Sequence, residues 1–113
     1  MRPASPVKGS PIMKRMVRYK LKPDRVDENE RLVRAVYQEL AERRPPGLRY
    51  ATFKLEDGVS FVHIASHEAP DGSNLLTALP AFKAFVAGVR ERCEEPPVTS
   101  ELSEIGSYGF FGS

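Results

Sequence analysis

The stretch RYATFKLEDGVSFVHIASHEA, Arg49 to Ala69, decides the fold. Two runs of alternating, strand-forming residues, Leu48 to Leu55 and Val59 to His67, flank Glu56-Asp57-Gly58, a turn in which glycine supplies a positive φ. This is the pattern of an antiparallel hairpin. Both faces of the hairpin carry apolar groups. Leu48, Tyr50, Val59, Phe61 and Ala65 fall on some positions, and Ala51, Phe53, Leu55, Val62 and Ile64 on the others. A sheet with one solvated face alternates apolar with polar, so this hairpin is expected to be covered on both sides. One of its faces also holds two histidines, His63 and His67.

Outward from the hairpin, Ile12 to Leu21 alternates, with Val17, Tyr19 and Leu21 opposite Lys14, Met16, Arg18 and Lys20, and reads as a first strand. Pro23 ends it. Asp24 is a candidate helix cap, followed by the acidic first turns of a helix that runs to about Arg43 before Pro45, Pro46 and Gly47. Val26, Leu32, Val33, Val36, Tyr37 and Leu40 form its apolar stripe. After the hairpin, a second helical region is expected from Ser73 or Asn74, carrying Leu75, Leu76 and Leu79. Pro80 interrupts or restarts it, and the continuation places Phe82, Phe85, Val86, Val89 and Cys93 on one stripe. EEPPV is read as its end, and Thr99 to Phe111 as a last strand. The order β-α-β-β-α-β predicts an α+β, ferredoxin-like fold, a four-stranded antiparallel sheet with both helices on one face. An apolar second face marks an association surface, which predicts a homodimer.

The chain has 113 residues, enough for one domain, expected over residues 12–113, with Met1 to Pro11 as a flexible tail too poor in apolar groups to offset its ordering entropy. Its 17 basic and 15 acidic residues are interspersed, so no basic block is present to draw nucleic acid or an anionic membrane. No apolar run reaches the length of a secretory signal core or a membrane span. A lone cysteine, Cys93, fits a reducing compartment, and the expected location is cytoplasmic. His63 and His67 lie roughly 13 Å apart on an extended strand, too far to share a metal ion, and no metal or cofactor is expected.

VRYKLKPDRVDENERLVRAVY (Val17 to Tyr37), SFVHIASHEA (Ser60 to Ala69) and LTALPAFKAFVAGV (Leu76 to Val89) resemble the dimeric α/β-barrel superfamily, and within it the antibiotic-biosynthesis-monooxygenase-like proteins. The resemblance spans about Met13 to Phe111. It implies two sheets closing face to face into a barrel, with a cleft in each subunit between its own sheet and helices. It also implies oxidation of an aromatic or polyketide-like small molecule without metal or flavin. The haem-degrading branch uses an asparagine, a tryptophan and a histidine at positions that align with Met16, His67 and Val86. The chain departs at all three, has no tryptophan, and offers iron no histidine at Val86.

The same alignment turns Val59, Phe61, His63, Ala65 and His67 toward the cleft. His63 and His67 are therefore the candidate catalytic residues, either as a general base toward a phenol or enol, since an imidazole titrates near neutrality, or as structural histidines. Tyr37, Tyr50, Phe61, Phe82 and Phe85 are the candidate substrate-binding residues, the tyrosines as phenolic donors or as core. Two functions follow: a cofactor-independent monooxygenase-like enzyme, or a non-catalytic dimeric small-ligand-binding or structural protein of the same fold. Cys93 is expected to be a small buried apolar group.

Overall fold

A computed structural model describes residues 12–68 and 74–110. The expected tail, Met1 to Pro11, lies outside them. Strand β1 (Ile12–Leu21) leads through a 3-10 turn at Pro23–Arg25 into helix α1 (Val26–Arg43); β2 (Leu48–Lys54) and β3 (Ser60–Glu68) follow as the hairpin. A second 3-10 turn (Leu76–Ala78) precedes α2 (Pro80–Ala87) and the single turn α3 (Val89–Arg92), and β4 (Cys93–Leu102) closes the sheet. All pairings are antiparallel, in the order β2-β3-β1-β4.

Alternation along the strands sets what the helices cover. Tyr19 and Leu21 of β1 and Phe61, His63, Ala65 and His67 of β3 are buried, together with Val33 and Val36 of α1 and Phe85 and Val89 from the second helical region. The opposite sheet face holds Val62 and Ile64 half-buried and leaves Phe53 48% and Val98 63% exposed. That is apolar surface a folded chain ordinarily covers. Among the described residues no helix is long and apolar enough to cross a membrane.

Three expectations are corrected at the chain's second half. The helix does not run on to Cys93: it breaks at Gly88, α3 is one turn, and Cys93 opens β4, where it is buried as expected. The last strand is Cys93–Leu102, so EEPPV lies inside it. Two adjacent prolines are tolerated there because β4 is an edge strand, whose outward side needs no N–H for a ladder, and because its register against β1 shifts between the Arg18–Val98 and Lys20–Glu95 pairs that flank them. The residues expected to end that strand leave the sheet, with Ile105 and Tyr108 almost fully exposed and Phe110 beside Ala51, Phe53 and Ile64 of the hairpin. At the front of α1, Asp24 falls within the 3-10 turn, and no side chain caps the helix. Pro80 does restart the second helix: Asn74 Oδ1 accepts the N–H groups of Leu76 and Thr77 to form the preceding turn. The Ala81 N–H of α2 then donates to Glu39 of α1 at 2.9 Å, an anion at a helix N-terminus that ties the two helices together.

Two glycines at positive φ separate local strain from collision. Gly47 (φ 84) enters β2, and a Cβ there would strike the Glu68 carbonyl, which belongs to the residue whose N–H bonds Gly47 O at 2.7 Å. Gly58 (φ 79) sits in the hairpin turn with open space around it. Gly58→Ala should cost about 1–2 kcal/mol, the left-handed penalty alone, whereas Gly47→Ala should cost more because backbone must also move. Thermal melts should therefore rank Gly47→Ala below Gly58→Ala by at least about 5 °C. Equal melting temperatures would show that the Gly47 contact relaxes freely.

Candidate functional site

A cleft of about 320 Å³ opens between the helix-facing side of the sheet and the second helical region. Its floor is Val17 and Tyr19 of β1, Tyr50 of β2 and His63 of β3; Phe82, Phe85, Val86, Val89 and Arg90 form one wall, and Pro97 and Thr99 of the edge strand the other. That volume lies at the lower end of the range for small-molecule sites, and a lining of aromatic and aliphatic groups with a few polar ones is their usual composition. Among the described residues no aspartate or glutamate lines it, and Arg90 does.

Of the residues singled out in the sequence, the cleft brings together His63, Tyr50, Phe82 and Phe85. Phe61 lies deeper, edge-on to Tyr19 with ring centroids 5.7 Å apart, and fills core. Tyr37 is one layer behind, stacked on Tyr50 at 5.2 Å with its hydroxyl 2.7 Å from Thr52 Oγ1. His67 is opposite Met13 and Leu48 toward the far end of β3, buried and not in the cleft lining.

His63 is the centre of a buried polar chain. Its Nε2 is 2.8 Å from Tyr19 Oη, and its Nδ1 is 2.6 Å from Tyr50 Oη and 3.2 Å from Thr52 Oγ1. Beyond Tyr19 the chain continues to two residues that sequence reading passed over. Asn29 Nδ2 donates to Tyr19 Oη at 2.9 Å, and Arg92 Nε donates to Asn29 Oδ1 at 3.1 Å. Arg92 also gives Nη2 to the Phe85 carbonyl at 2.7 Å and lies over the Phe85 ring at 5.4 Å. Asn29 and Arg92 are 0% and 2% exposed, and among the described residues no carboxylate forms an ion pair with Arg92. A signal for both was present. Asn29 precedes Val33 and Val36 at the spacing of the α1 core stripe, and Arg92 follows Phe85 and Val89 at the same spacing.

Burial sets the protonation of the group. Desolvation pulls the His63 imidazole down from 6.5 to about 4, so it is neutral at physiological pH, and the same cause pushes the Tyr19 and Tyr50 phenols well above their ordinary value. His67 is lowered too, by desolvation and then by the charge of Arg15.

No family model matches the chain, and no curated protein sequence matches it. Solved structures do share its fold. A protein described as an antibiotic biosynthesis monooxygenase superposes with a TM-score of 0.69 at 17% identity, over 83% of this chain and 99% of its own. Rv0793 from Mycobacterium tuberculosis gives 0.66 at 18% identity, over 86% and 97%. SnoaB from Streptomyces nogalater, a cofactor-independent oxygenase crystallised as an asparagine-to-alanine variant, gives 0.65 at 18% identity, over 87% and 98%. The fold is thus that of the antibiotic-biosynthesis-monooxygenase-like structures, the ferredoxin-like class expected from the sequence.

A depressed histidine pKa gives a signed consequence. The unfolded chain binds a proton at His63 below about 6.5 and the native chain only below about 4, so stability conferred by the neutral imidazole is complete above 6.5 and lost as pH falls to 4. Over that window the wild type should lose on the order of 3 kcal/mol relative to His63→Gln, read as denaturant midpoints at pH 7 and pH 4. Parallel pH profiles would show that His63 is not held neutral.

Proposed function

We propose that this is a small cytoplasmic, monooxygenase-like enzyme that acts without a cofactor on an aromatic or polyketide-like molecule bearing an ionisable oxygen. The observation that carries the reading is the Tyr50–His63 pair, 2.6 Å apart, at the floor of an apolar cleft. The fold shared with a cofactor-independent oxygenase supports it. In such a reaction a phenol or enol gives its proton to solvent water and enters as the anion, which passes an electron to dioxygen. The two radicals join as a peroxide anion, which takes a proton back from water, and loss of water then leaves a carbonyl where a methylene stood. One oxygen atom enters the product and the other leaves as water. The protein's contribution is to exclude bulk water, hold the ring among Phe82, Phe85 and Val86, and meet the ionised oxygen with a fixed polar group. His63 has both nitrogens engaged and acts on the substrate through Tyr50. His67 is assigned no part in it.

With 1,8-dihydroxyanthrone as probe, oxygen uptake should depend on protein. Tyr50→Phe and His63→Gln should each slow it by roughly 10²-fold to 10³-fold, the usual contribution of a hydrogen-bond donor held toward a developing oxyanion, while Arg34→Gln on the exposed side of α1 should not. Binding without product for a panel of phenols would favour the non-catalytic ligand-binding alternative.

We infer in addition that two copies pair through the open sheet faces, which supports the barrel expected from the sequence. Phe53, Val62, Ile64 and Val98 form the apolar surface concerned. Sedimentation at micromolar concentration should give a dimer, and Ile64→Asp, which would place an unpaired charge inside it, should give monomer or unfolded chain. A stable wild-type monomer would overturn the pairing.

A further inference from the structure

We propose that Arg92 and Asn29 fix the direction of the buried hydrogen-bond chain so that Tyr50 is held as a donor to the cleft, which makes the site one for the oxyanion form of its ligand, a phenolate or enolate. The argument rests on the functional reading above and on which groups can only give protons.

A guanidinium has no acceptor, so the oxygen of the Asn29 amide must face Arg92 Nε, and its NH₂ must face Tyr19. Tyr19 Oη, which accepts that bond, has one proton of its own. Among the described residues the acceptor within reach is His63 Nε2, at 2.8 Å. Tyr19 is 3% exposed, and leaving its proton unpaired would carry the desolvation penalty of a buried donor. His63 Nε2 is therefore the bare nitrogen and Nδ1 carries the ring proton. Nδ1–H in turn donates to Tyr50 Oη at 2.6 Å, with Thr52 Oγ1 at 3.2 Å as the longer branch. Tyr50 Oη has then accepted, and its own proton has Thr52 Oγ1 as its neighbour within the protein and a ligand oxygen as its acceptor in the cleft. An imidazole in this tautomer cannot receive a proton through Tyr50, so the pair stabilises an oxyanion rather than acting as a base. The surroundings agree: among the described residues Arg90 lines the cleft, Arg92 lies behind Phe85 with no carboxylate bonded to it, and no acid is in the lining. Arg92 and Asn29 touch no ligand; they are positioning residues.

The test is spectroscopic and independent of turnover. In ¹⁵N-labelled protein at pH 7, the His63 ring should show a protonated Nδ1 and a bare Nε2, the signals being assigned by their loss in His63→Gln, since His67 is the only other histidine. Asn29→Asp keeps size and still accepts from Arg92, yet can no longer donate to Tyr19. Tyr19 should turn its proton to the new carboxylate, and His63 should switch to the Nε2–H form. Arg92→Lys, which keeps a donor, should retain Nδ1–H. A wild-type ring protonated on Nε2, or an Asn29→Asp spectrum unchanged from wild type, would overturn the proposal, and the wild-type result decides it even if the variant does not fold.

The ligand half is read with 4-nitrophenol, whose ionised form absorbs separately. Wild type should bind it as the phenolate, and Tyr50→Phe should weaken that binding roughly 10-fold to 100-fold, the range for a hydrogen bond to a charged group. Binding as the neutral phenol, or no binding, overturns the oxyanion assignment. Phenolate binding with no oxygen uptake by any substrate would instead remove the oxygenase reading and leave this one standing.

Discussion

The hydrogen bond between Tyr19 on β1 and His63 on β3 is the contact on which the interior is organised. It joins two central strands at their helix-facing side and is reached from α1 by Asn29 and from α3 by Arg92. A polar chain inside an otherwise apolar core carries a penalty at every unpaired atom, so each member constrains the next. The buried guanidinium is the most demanding. It is satisfied where α3 begins one turn before β4, and Gly88 gives it room, since a Cβ at that position would come within 3.2 Å of Arg92 Nη1 and push it by a few tenths of an ångström. The break in the second helix is thus tied to the same chain that holds the histidine.

That arrangement also explains why a cleft exists. Had the helix run straight on, its stripe would have covered the sheet from Tyr19 to the edge. Instead α2 ends at Ala87, the chain turns, and Pro97 and Thr99 of β4 line the opposite wall. Val86 is left 46% exposed beside Arg90, and the Tyr50–His63 pair lies at the floor. The apolar walls and the polar floor come from different elements, and only their packing brings them together.

Most of the fold was legible in the sequence because it rests on local periodicity. β1, α1 and the hairpin follow from alternation, an acidic-to-basic helix and a glycine turn. The second half was harder: the Phe82, Phe85, Val86, Val89 and Cys93 spacing suits one helix through Cys93, and prolines at 96 and 97 argue against a strand unless it is known to be an edge. Which strand is the edge is a property of the whole sheet. Of the candidate cleft, His63 was legible in the strand parity that the family resemblance implies, Tyr50 as a possible phenolic donor on the hairpin, and Phe82 and Phe85 in the apolar stripe of the second helix. It was not legible in depth. Phe61 and His67 share His63's parity but not its position along the strand, and Tyr37 is separated from the cleft by Tyr50. Asn29 and Arg92 looked like ordinary helix polar residues, although both stand on apolar stripes, where a polar residue needs a buried partner.

A crystal structure of the protein with a bound phenol tests the account most directly. The account predicts the aromatic ring between Phe82, Phe85 and Val86 with its oxygen at hydrogen-bonding distance from Tyr50 Oη, and Tyr19, Asn29 and Arg92 unmoved behind His63. A phenol seated on the open sheet face, or one in the cleft whose oxygen points to solvent while Tyr50 bonds only to protein, would contradict it.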